Sequence, residues 1–276
     1  METAVRKKLS AIRAALRHLF DRGGGFFVQY DYVDSIRPVE RPYEAVEQLC
    51  EAAPFREFLA EMNRDIPNYQ QLGSSADDPD WNGRMFPPLD CAALYTAVRK
   101  FQPKRIVEIG SGDTTRFMAR AAAPSTRITC IDPAPRRSIE HLPVEFVRRV
   151  LTDDDVETCA QLEANDILFI DSSHIMLPGM DVDIEFNRIF PRLQPGVIVH
   201  VHDIFLPFDY PSDWRDRHWS EQNALVGWLF GAFEIVFPGH YVVRRHPELI
   251  DEAVGAFPQA AVKDAGSMWL RKRAVR

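Results

Sequence analysis

The sequence has no apolar run long enough to cross a membrane, no excess of positive charge and few cysteines. Its 276 residues carry a formal charge of −7, which argues against a broad surface for nucleic acids or anionic membranes. The cysteines are widely scattered, without the spacing of a zinc ribbon or a redox motif, and no signal-peptide pattern is found. We therefore predict free thiols in a reducing, cytoplasmic setting, with neither nucleic-acid nor membrane partners. The four cysteines are Cys50, Cys91, Cys130 and Cys159.

A glycine turn after a short apolar segment is the most informative stretch. Arg105–Ile109 predicts a buried strand, Gly110 and Gly112 predict a sharp turn, and Arg116–Ala121 predicts a helix. This order is typical of the nucleotide-binding opening of a doubly wound α/β domain. The helix start offers unpaired N–H groups to an anionic group. Thr115 stands where a dinucleotide fingerprint needs a third glycine, which argues against an NAD-linked oxidoreductase.

Two acids accompany this turn. Glu108 lies on the strand, two residues before the first glycine, and the next predicted strand, Arg127–Ile131, ends in Asp132. A carboxylate at the end of the second strand suits a ribose diol, because it can accept from both hydroxyls. Asp153, in the loop after the third predicted strand, either holds an adenine or caps the next helix.

The rest of the chain continues the alternation of strands and helices. Apolar runs predict further strands at Glu145–Val150, Asp166–Ile170, Val197–Val201, Phe233–Phe237 and Ser267–Leu270, the last two as an antiparallel pair. Helical spacing predicts helices at Leu89–Phe101, Arg137–His141, Asp181–Phe190 and Asn223–Phe233. We expect the fourth strand beside the first and the fifth beside the fourth.

Residues 80–272 resemble the class I methyltransferases that use S-adenosylmethionine (SAM), especially bacterial small-molecule O-methyltransferases and cephalosporin-hydroxylase-type proteins. The resemblance implies a Rossmann-like, doubly wound α/β fold with a mainly parallel seven-stranded sheet, SAM as cofactor, and a small acceptor methylated at oxygen. It leaves residues 1–80 uncovered, and we predict an N-terminal helical cap and lid (1–88) before a SAM-binding domain (89–276). The motifs that carry it are Glu108-Ile-Gly110-Ser-Gly112, Cys130-Ile-Asp132-Pro133, Phe169-Ile-Asp171-Ser-Ser-His174, Leu193-Gln-Pro195-Gly196 and His200-Val-His202-Asp203-Ile204-Phe205.

The site residues follow from these motifs. The predicted cofactor-binding residues are Glu108, Gly110, Ser111, Gly112, Thr115, Asp132, Pro133, Asp153 and Asp171. The predicted catalytic residues are Asp171, His174, His202 and Asp203. Because adjacent strands lie about 4.8 Å apart, Asp171 and Asp203 are expected to be close. Two close carboxylates must share a proton, find a cationic partner or bind a metal.

Two alternatives for the reacting end stay open. In related catechol-type enzymes, aspartates after the fourth and fifth strands hold Mg²⁺, but here Ile204 replaces the asparagine of that pattern. A set of Asp171, His202 and Asp203 would suit Mn²⁺, Fe²⁺ or Zn²⁺ better. In the metal-free alternative, His174 or His202 takes the proton from the nucleophile. His200, deeper on the same strand, is interpreted as a core histidine.

Aromatic residues in the loops predict an acceptor pocket for a flat or apolar organic molecule. One set follows the fifth strand: Phe205, Phe208, Tyr210, Trp214 and Trp219. The other precedes the first strand: Tyr69, Trp81, Arg84 and Phe86. Other functions remain open: a different reaction of SAM, such as intramolecular alkyl transfer, or a non-catalytic SAM- or nucleotide-binding regulator. A homodimer also remains open.

Overall fold

The computed structural model describes residues 41–69, 71–72, 78–79, 86–254 and 265–274, together with isolated positions before residue 41. The chain separates into two compact units, residues 1–38 and 39–276. In the first unit, the described positions between Leu9 and Phe20 are helical. The second unit contains all the elements that position the site.

A seven-stranded sheet forms the centre of the second unit. Its strands are β1 Arg105–Ile109, β2 Arg127–Ile131, β3 Glu145–Val147, β4 Ile167–Ile170, β5 Ile198–Val201, β6 Phe233–Pro238 and β7 Met268–Lys272. The spatial order is β3-β2-β1-β4-β5-β7-β6. The first five strands are parallel to one another, and β7 is antiparallel to both β5 and β6. The predicted fold class is confirmed, as are the predicted neighbours of the fourth strand.

Helices lie before and between the strands. They are α1 Glu44–Glu51, α2 Phe55–Tyr69, α3 Pro88–Phe101, α4 Asp113–Ala121, α5 Val156–Ala160, α6 Asp181–Ile184, α7 Glu221–Leu229, α8 Gly239–Arg245 and α9 Pro247–Val254. The central strands β4 and β5 are fully buried, as expected for parallel strands covered on both faces. None of the helices in the described part of the chain combines the length and the apolar character that a membrane crossing requires.

Helices α1 and α2 pack on the same core as the sheet. Phe58 of α2 is 1% exposed and stacks on Phe237 of β6, with ring centroids 4.9 Å apart. Phe55 contacts Tyr241 of α8 edge-to-face. These two helices therefore belong to the unit that begins at residue 39. The predicted division into residues 1–88 and 89–276 stays a prediction.

Two predicted helices differ from the structure. Arg137–His141 is wrong as a helix, because this stretch forms only turns and bends between Pro135 and Pro143. Proline disfavours helical dihedrals in the residue before it, and the stretch is too short to overcome this. The helix predicted at Asp181–Phe190 changes after Ile184 into a wider π-type turn, Glu185–Ile189. That turn brings a buried glutamate towards the site described below.

Position 110, directly after β1, requires a glycine because the backbone that follows the neighbouring strand β4 leaves no room for a side chain. Its φ is +80°, and a Cβ at this position would lie 2.1 Å from the carbonyl oxygen of Asp171. The glycine therefore lets two strand ends meet, in addition to any room that it leaves for a ligand.

We expect Gly110→Ala to lower the free energy of unfolding by more than about 2 kcal/mol, through backbone strain and a contact that cannot relax. Chemical denaturation measures this. Gly227→Ala is the matched control, because Gly227 lies inside α7 and no described atom comes within 4 Å of the point where its Cβ would lie. It should be neutral or gain up to about 1 kcal/mol. Equal stability of the two variants would contradict the steric role of Gly110.

Candidate active site

Glu108 supports the glycine turn from within the core. Its side chain is 0% exposed and accepts hydrogen bonds from Thr114 Oγ1 at 2.5 Å and Thr115 Oγ1 at 2.6 Å. Both threonines lie in the first turn of α4, so the carboxyl group ties that turn to β1. Burial raises the pKa of Glu108 to about 7, against the hydrogen bonds that favour its charged form. Glu108 thus orders the loop from behind.

The raised pKa of Glu108 predicts a pH effect on stability. Between its usual value of 4.5 and about 7, the folded state binds more protons than the unfolded state, so stability falls as the pH rises through this range. Glu108→Gln should remove that fall, making the variant more stable relative to the parent at pH 7 than at pH 4.5, by on the order of 1–3 kcal/mol. Urea denaturation across this range measures the difference. Parallel stability curves for the two proteins would rule out a shifted Glu108.

Asp132, directly after β2, is fixed by the turn that faces it. Its Oδ2 accepts from the backbone N–H of Ser111 at 2.7 Å and from Ser111 Oγ at 3.0 Å. Its Oδ1 accepts from the backbone N–H of Ala134 at 2.7 Å. A carboxylate offers about four acceptor positions, so one remains for a ligand hydroxyl.

A cavity of about 320 Å³ opens at the carboxyl edge of β1, β2 and β4. This is the edge at which doubly wound sheets bind their ligands, and the volume lies in the usual range for small-molecule sites. Its lining includes five of the predicted cofactor residues: Gly110, Ser111, Asp132, Pro133 and Asp171. Val150, Leu151 and Ile131 add an apolar wall suited to a planar base.

The structure places the other four predicted cofactor residues outside this lining. Glu108 and Thr115 are fully buried behind the turn. The backbone N–H of Gly112 donates to Thr115 Oγ1 at 3.0 Å, which closes the turn. Asp153 has a 67% exposed side chain and pairs with Arg188 at 3.0 Å. It does not face the cavity.

His174 lies between the carboxylates that end β4 and β5. Its Nε2 is 3.5 Å from Asp171 Oδ1 and 3.6 Å from Asp203 Oδ2, while its Nδ1 lies 2.8 Å from Glu221 Oε2. The imidazole is 7% exposed. The two aspartates are therefore close, as expected, and both of them face one buried ring.

Both His174 and Asp203 have left-handed backbone conformations, with φ of +61° and +54°. Non-glycine residues rarely adopt this region, and such strain persists only where surrounding contacts impose it. The carbonyl oxygen of His174 accepts hydrogen bonds from the backbone N–H groups of Ser220 at 2.9 Å and Glu221 at 3.2 Å. The start of α7 therefore fixes both the ring and the backbone of His174.

Asp203 is held from the side of β7. The backbone N–H of Ile204 donates to the carbonyl of Gly266 at 2.7 Å, and a Cβ on Gly266 would lie 3.1 Å from the Asp203 Cα. Asp90 of α3 in turn accepts from the N–H of Gly266 at 2.8 Å. Burial raises the pKa of Asp90 to about 6. The helix before β1 thus helps to place the residue after β5.

The electrostatics of this cluster favour a charged imidazole. Burial by itself would lower the pKa of His174, but the contacts with Asp171 and Glu221 outweigh it and hold the pKa well above 6.5. Burial would raise the pKa of Asp171, yet the positive charges of His202 and His174 outweigh it and keep the pKa below its usual range. The carboxylates have thus found a cationic partner inside the protein.

The predicted metal set is not assembled. Within the described ranges, no three His, Cys, Asp or Glu side chains are arranged to hold a metal ion. His202 Nε2 lies 3.6 Å from Asp203 Oδ1, and the His202 ring packs on Phe86 with centroids 4.8 Å apart. The imidazole of His174 occupies the position between Asp171 and Asp203. The metal hypothesis for Asp171, His202 and Asp203 stays a prediction, for which the described residues show no ready-made set of ligands.

His200 is confirmed as a core histidine. It is 0% exposed, stacks on Phe169 with centroids 3.9 Å apart, and its Nε2 lies 2.8 Å from Ser267 Oγ. Burial lowers its pKa well below 6.5, so the ring is neutral. It packs below the site and takes no part in the cluster.

Four of the five aromatic residues predicted after β5 are brought together beside His174, whereas Phe208 packs against His240. Trp219 lies against the His174 ring, with centroids 4.2 Å apart, and makes an edge-to-face contact with Trp214 at 5.0 Å. Trp214 packs edge-to-face on Phe205 at 5.0 Å. Of the second predicted set, Phe86 is buried against His202. Trp81, Arg84 and the side chain of Tyr69 lie outside the described residues.

Sequence analysis missed two acids of the cluster, Glu221 and Glu185. Glu221 is 0% exposed and 47 positions from His174 along the chain, at the start of a helix, where an acid ordinarily needs no special explanation. Glu185 is also 0% exposed and accepts from Ser172 Oγ at 3.2 Å. Burial, followed by the charge of Glu221, raises the pKa of Glu185 well above 4.5. No local motif marks either residue.

Comparisons with known proteins give matches of low sequence identity. No curated protein is significantly similar to the sequence. Among solved structures, it resembles an O-methyltransferase from Streptomyces achromogenes involved in tomaymycin synthesis, at 17% identity over 88% of this chain and 95% of that one, with a TM-score of 0.45. It also resembles a methyltransferase from Geobacter sulfurreducens, at 17% identity over 91% and 100% of the two chains, with a TM-score of 0.41.

A third similar structure is an O-methyltransferase from Bacillus cereus, solved with S-adenosylhomocysteine (SAH), at 15% identity over 79% of this chain and 91% of that one, with a TM-score of 0.38. Residues 107–204 match a family model described as a methyltransferase domain. This segment runs from β1 to the residue after Asp203. It includes the glycine turn, the lining of the cavity and all four predicted catalytic residues. The predicted resemblance to methyltransferases is thus confirmed over these residues.

Proposed function

We propose that this chain, whose residues 107–204 match a methyltransferase domain, is a class I methyltransferase that transfers the methyl group of SAM to an oxygen of a small organic acceptor. The observation that carries the proposal is the position of Asp171. Its side chain lines the cavity at the glycine turn and also lies 3.5 Å from His174 Nε2. A cofactor site and a polar reacting site therefore meet at one residue.

The cavity fits SAM in the chemistry of its donors and acceptors. Asp132 retains an acceptor position for a ribose hydroxyl, and Val150, Leu151 and Ile131 offer an apolar surface to the adenine. The N–H groups at the start of α4 suit the carboxylate of the methionine moiety. When bound, SAM supplies a methyl group on a positively charged sulfur. Asp171 would lie beside that charge and favour its binding.

The His174 cluster would position and polarise the acceptor. The Asp171 and Asp203 side chains are 32% and 17% exposed, so their oxygens can accept a hydrogen bond from an acceptor hydroxyl. That bond places the oxygen and weakens its O–H bond, and the proton can pass to a carboxylate held by the imidazolium. Positioning of this kind supplies much of the rate in methyl transfer. Its raised pKa keeps His174 protonated, so the ring cannot accept the proton first and instead holds the two carboxylates in place.

The test is an incubation of the enzyme with SAM and an untargeted pool of metabolites, followed by mass spectrometry. We expect SAH together with a product heavier by one methyl group, formed only with active enzyme. Incubation with SAM alone is the control. Product formation in that control would indicate an intramolecular reaction of SAM. SAM binding without any product, across a wide pool, would support the regulator instead.

A further inference from the structure

Arg217, at the end of the 3₁₀ turn Ser212–Arg217, packs against two indole rings beside the reacting site. Its guanidinium carbon lies 3.8 Å from the centroid of Trp214 and 4.5 Å from that of Trp219. Trp219 also contacts the His174 ring. A single indole ring therefore separates the guanidinium from the histidine that organises Asp171 and Asp203.

The segment that carries Arg217 is tied to the site by its backbone. The N–H of Ser220 donates to the carbonyl of His174, and the N–H of Met176 donates to Ser220 Oγ, both at 2.9 Å. In addition, the side-chain oxygen of Gln222 accepts a hydrogen bond from the backbone N–H of Phe205 at 2.9 Å. These bonds hold the chain just after Arg217, while the two indole rings contact its guanidinium, and this order reduces the entropy lost on binding.

The stacking leaves the hydrogen-bonding capacity of Arg217 available. The planes of the two rings are 81° apart, so a guanidinium that lies flat on one ring presents an edge to the other, and the N–H donors on its remaining edges stay available. Among the side chains that the structure describes, no carboxylate forms an ion pair with Arg217. Other arginines of the described chain do pair, including Arg149 with Asp155 and Arg105 with Asp166.

The distribution of charge around the site gives an acceptor a preferred direction. At the reacting end, three acids, Asp171, Asp203 and Glu221, lie around the imidazole of His174, and a second imidazole, that of His202, lies 3.6 Å from Asp203. An anionic group there would meet an excess of negative charge. At the other side of Trp219 stands an exposed guanidinium, whose planar fork matches a carboxylate or a phosphate.

We propose that Arg217 recognises an anionic substituent of the acceptor, which is then a hydroxylated acid whose charged group lies away from the oxygen that receives the methyl group. This inference rests on the proposed function, because it concerns the acceptor of the same site. The guanidinium of Arg217 would also match the carboxylate of SAM. The experiment therefore has to distinguish an anionic group of the acceptor from that of the cofactor.

The probes are 4-hydroxybenzoate and its neutral analogue 4-hydroxybenzamide, titrated by calorimetry into the protein saturated with SAH. We expect the acid to bind at least about 10-fold more tightly than the amide, as a charge-assisted contact predicts. Arg217→Gln should abolish this preference and leave SAH affinity unchanged. Arg148→Gln is the matched control, since Arg148 also lies over an aromatic ring, Phe146, at 4.9 Å but beside the edge strand β3. It should keep the preference.

Three results would overturn the proposal: equal or undetectable binding of the two probes while SAH binds normally, an unchanged preference in Arg217→Gln, or a loss of SAH affinity in that variant. The last result would assign Arg217 to the cofactor. Failure of the unaltered protein to bind SAH would instead refute the proposed function itself, so the two failures are distinguishable.

Discussion

Asp203→Asn and His174→Ala are expected to lower turnover by about 100-fold or more, with SAM affinity nearly unchanged. In the proposed mechanism, Asp203 offers the acceptor an anionic oxygen beside the imidazole, and the asparagine keeps the shape while removing the charge. Asparagine also tolerates the left-handed backbone of this position. Steady-state kinetics with the acceptor found in the metabolite screen, together with calorimetry for SAM, measures both quantities.

The histidine variant needs a separate stability measurement. His174→Ala leaves Glu221 buried without the ring that its Oε2 contacts, and breaking such a pair costs about 3–5 kcal/mol. Asp203→Asn, in a partly exposed position, avoids this cost and is the cleaner test. His246→Ala is the control, because His246 also lies near carboxylates, Glu51 at 3.4 Å and Glu248 at 3.6 Å, but outside the site.

The same assay separates the two alternatives for the reacting end. With His174 as the internal cation, turnover should be insensitive to a chelator of divalent ions. Loss of activity on chelation, with recovery on adding Mn²⁺ or Mg²⁺, would restore the metal hypothesis against the observed geometry. Full activity in both Asp203→Asn and His174→Ala would move the reacting site elsewhere.

Asp132→Ala is expected to weaken SAM binding by roughly 30- to 1000-fold. A hydrogen bond to a charged group contributes about 1.5–3 kcal/mol, and the variant also removes the acceptor that holds the N–H of Ser111. The loss should therefore include both a direct contact and a less ordered glycine turn. Calorimetric titration of SAM into each protein measures the change, with the melting temperature recorded alongside.

Asp153→Asn provides the matched control for Asp132→Ala. It removes an acid of the neighbouring loop that pairs with Arg188 and does not line the cavity. Its SAM affinity should match that of the parent. A comparable loss in both variants would indicate a general electrostatic effect of acidic residues, and an unaffected Asp132→Ala would refute the cofactor site.

The parts of the fold that depend on local patterns were predictable. Apolar runs and glycines located β1, β2 and the turn at Gly110, and parallel strand ends located Asp171 and Asp203 at one edge. The roles within the turn were not predictable, because Glu108 faces Thr114 and Thr115 only once α4 has packed on β1. A sequence pattern does not distinguish a carboxylate that supports a loop from one that touches a ligand.

The partners of His174 depend on tertiary packing and therefore had no signal in the sequence. Glu221 reaches the ring across 47 positions, at the start of a helix whose acid would otherwise be an ordinary terminal residue. Likewise, the sequence left three ways to stabilise the two close aspartates open: a bound metal, a shared proton or a cationic partner. The choice among these depends on where a single imidazole lies, which is set by the left-handed turn at residue 174.

The four cysteines are all free and fully buried, at 0% exposure each, and this makes them reporters of local opening. A thiol reagent can modify a buried sulfur only when the surrounding structure opens, so the labelling rate measures the free energy of that opening. Cys130 Sγ lies 3.2 Å from Glu108 Oε2, next to the glycine turn, whereas Cys50 lies in α1. Comparing their labelling rates would show how the opening of the cofactor end relates to that of the distant helix, without any introduced probe.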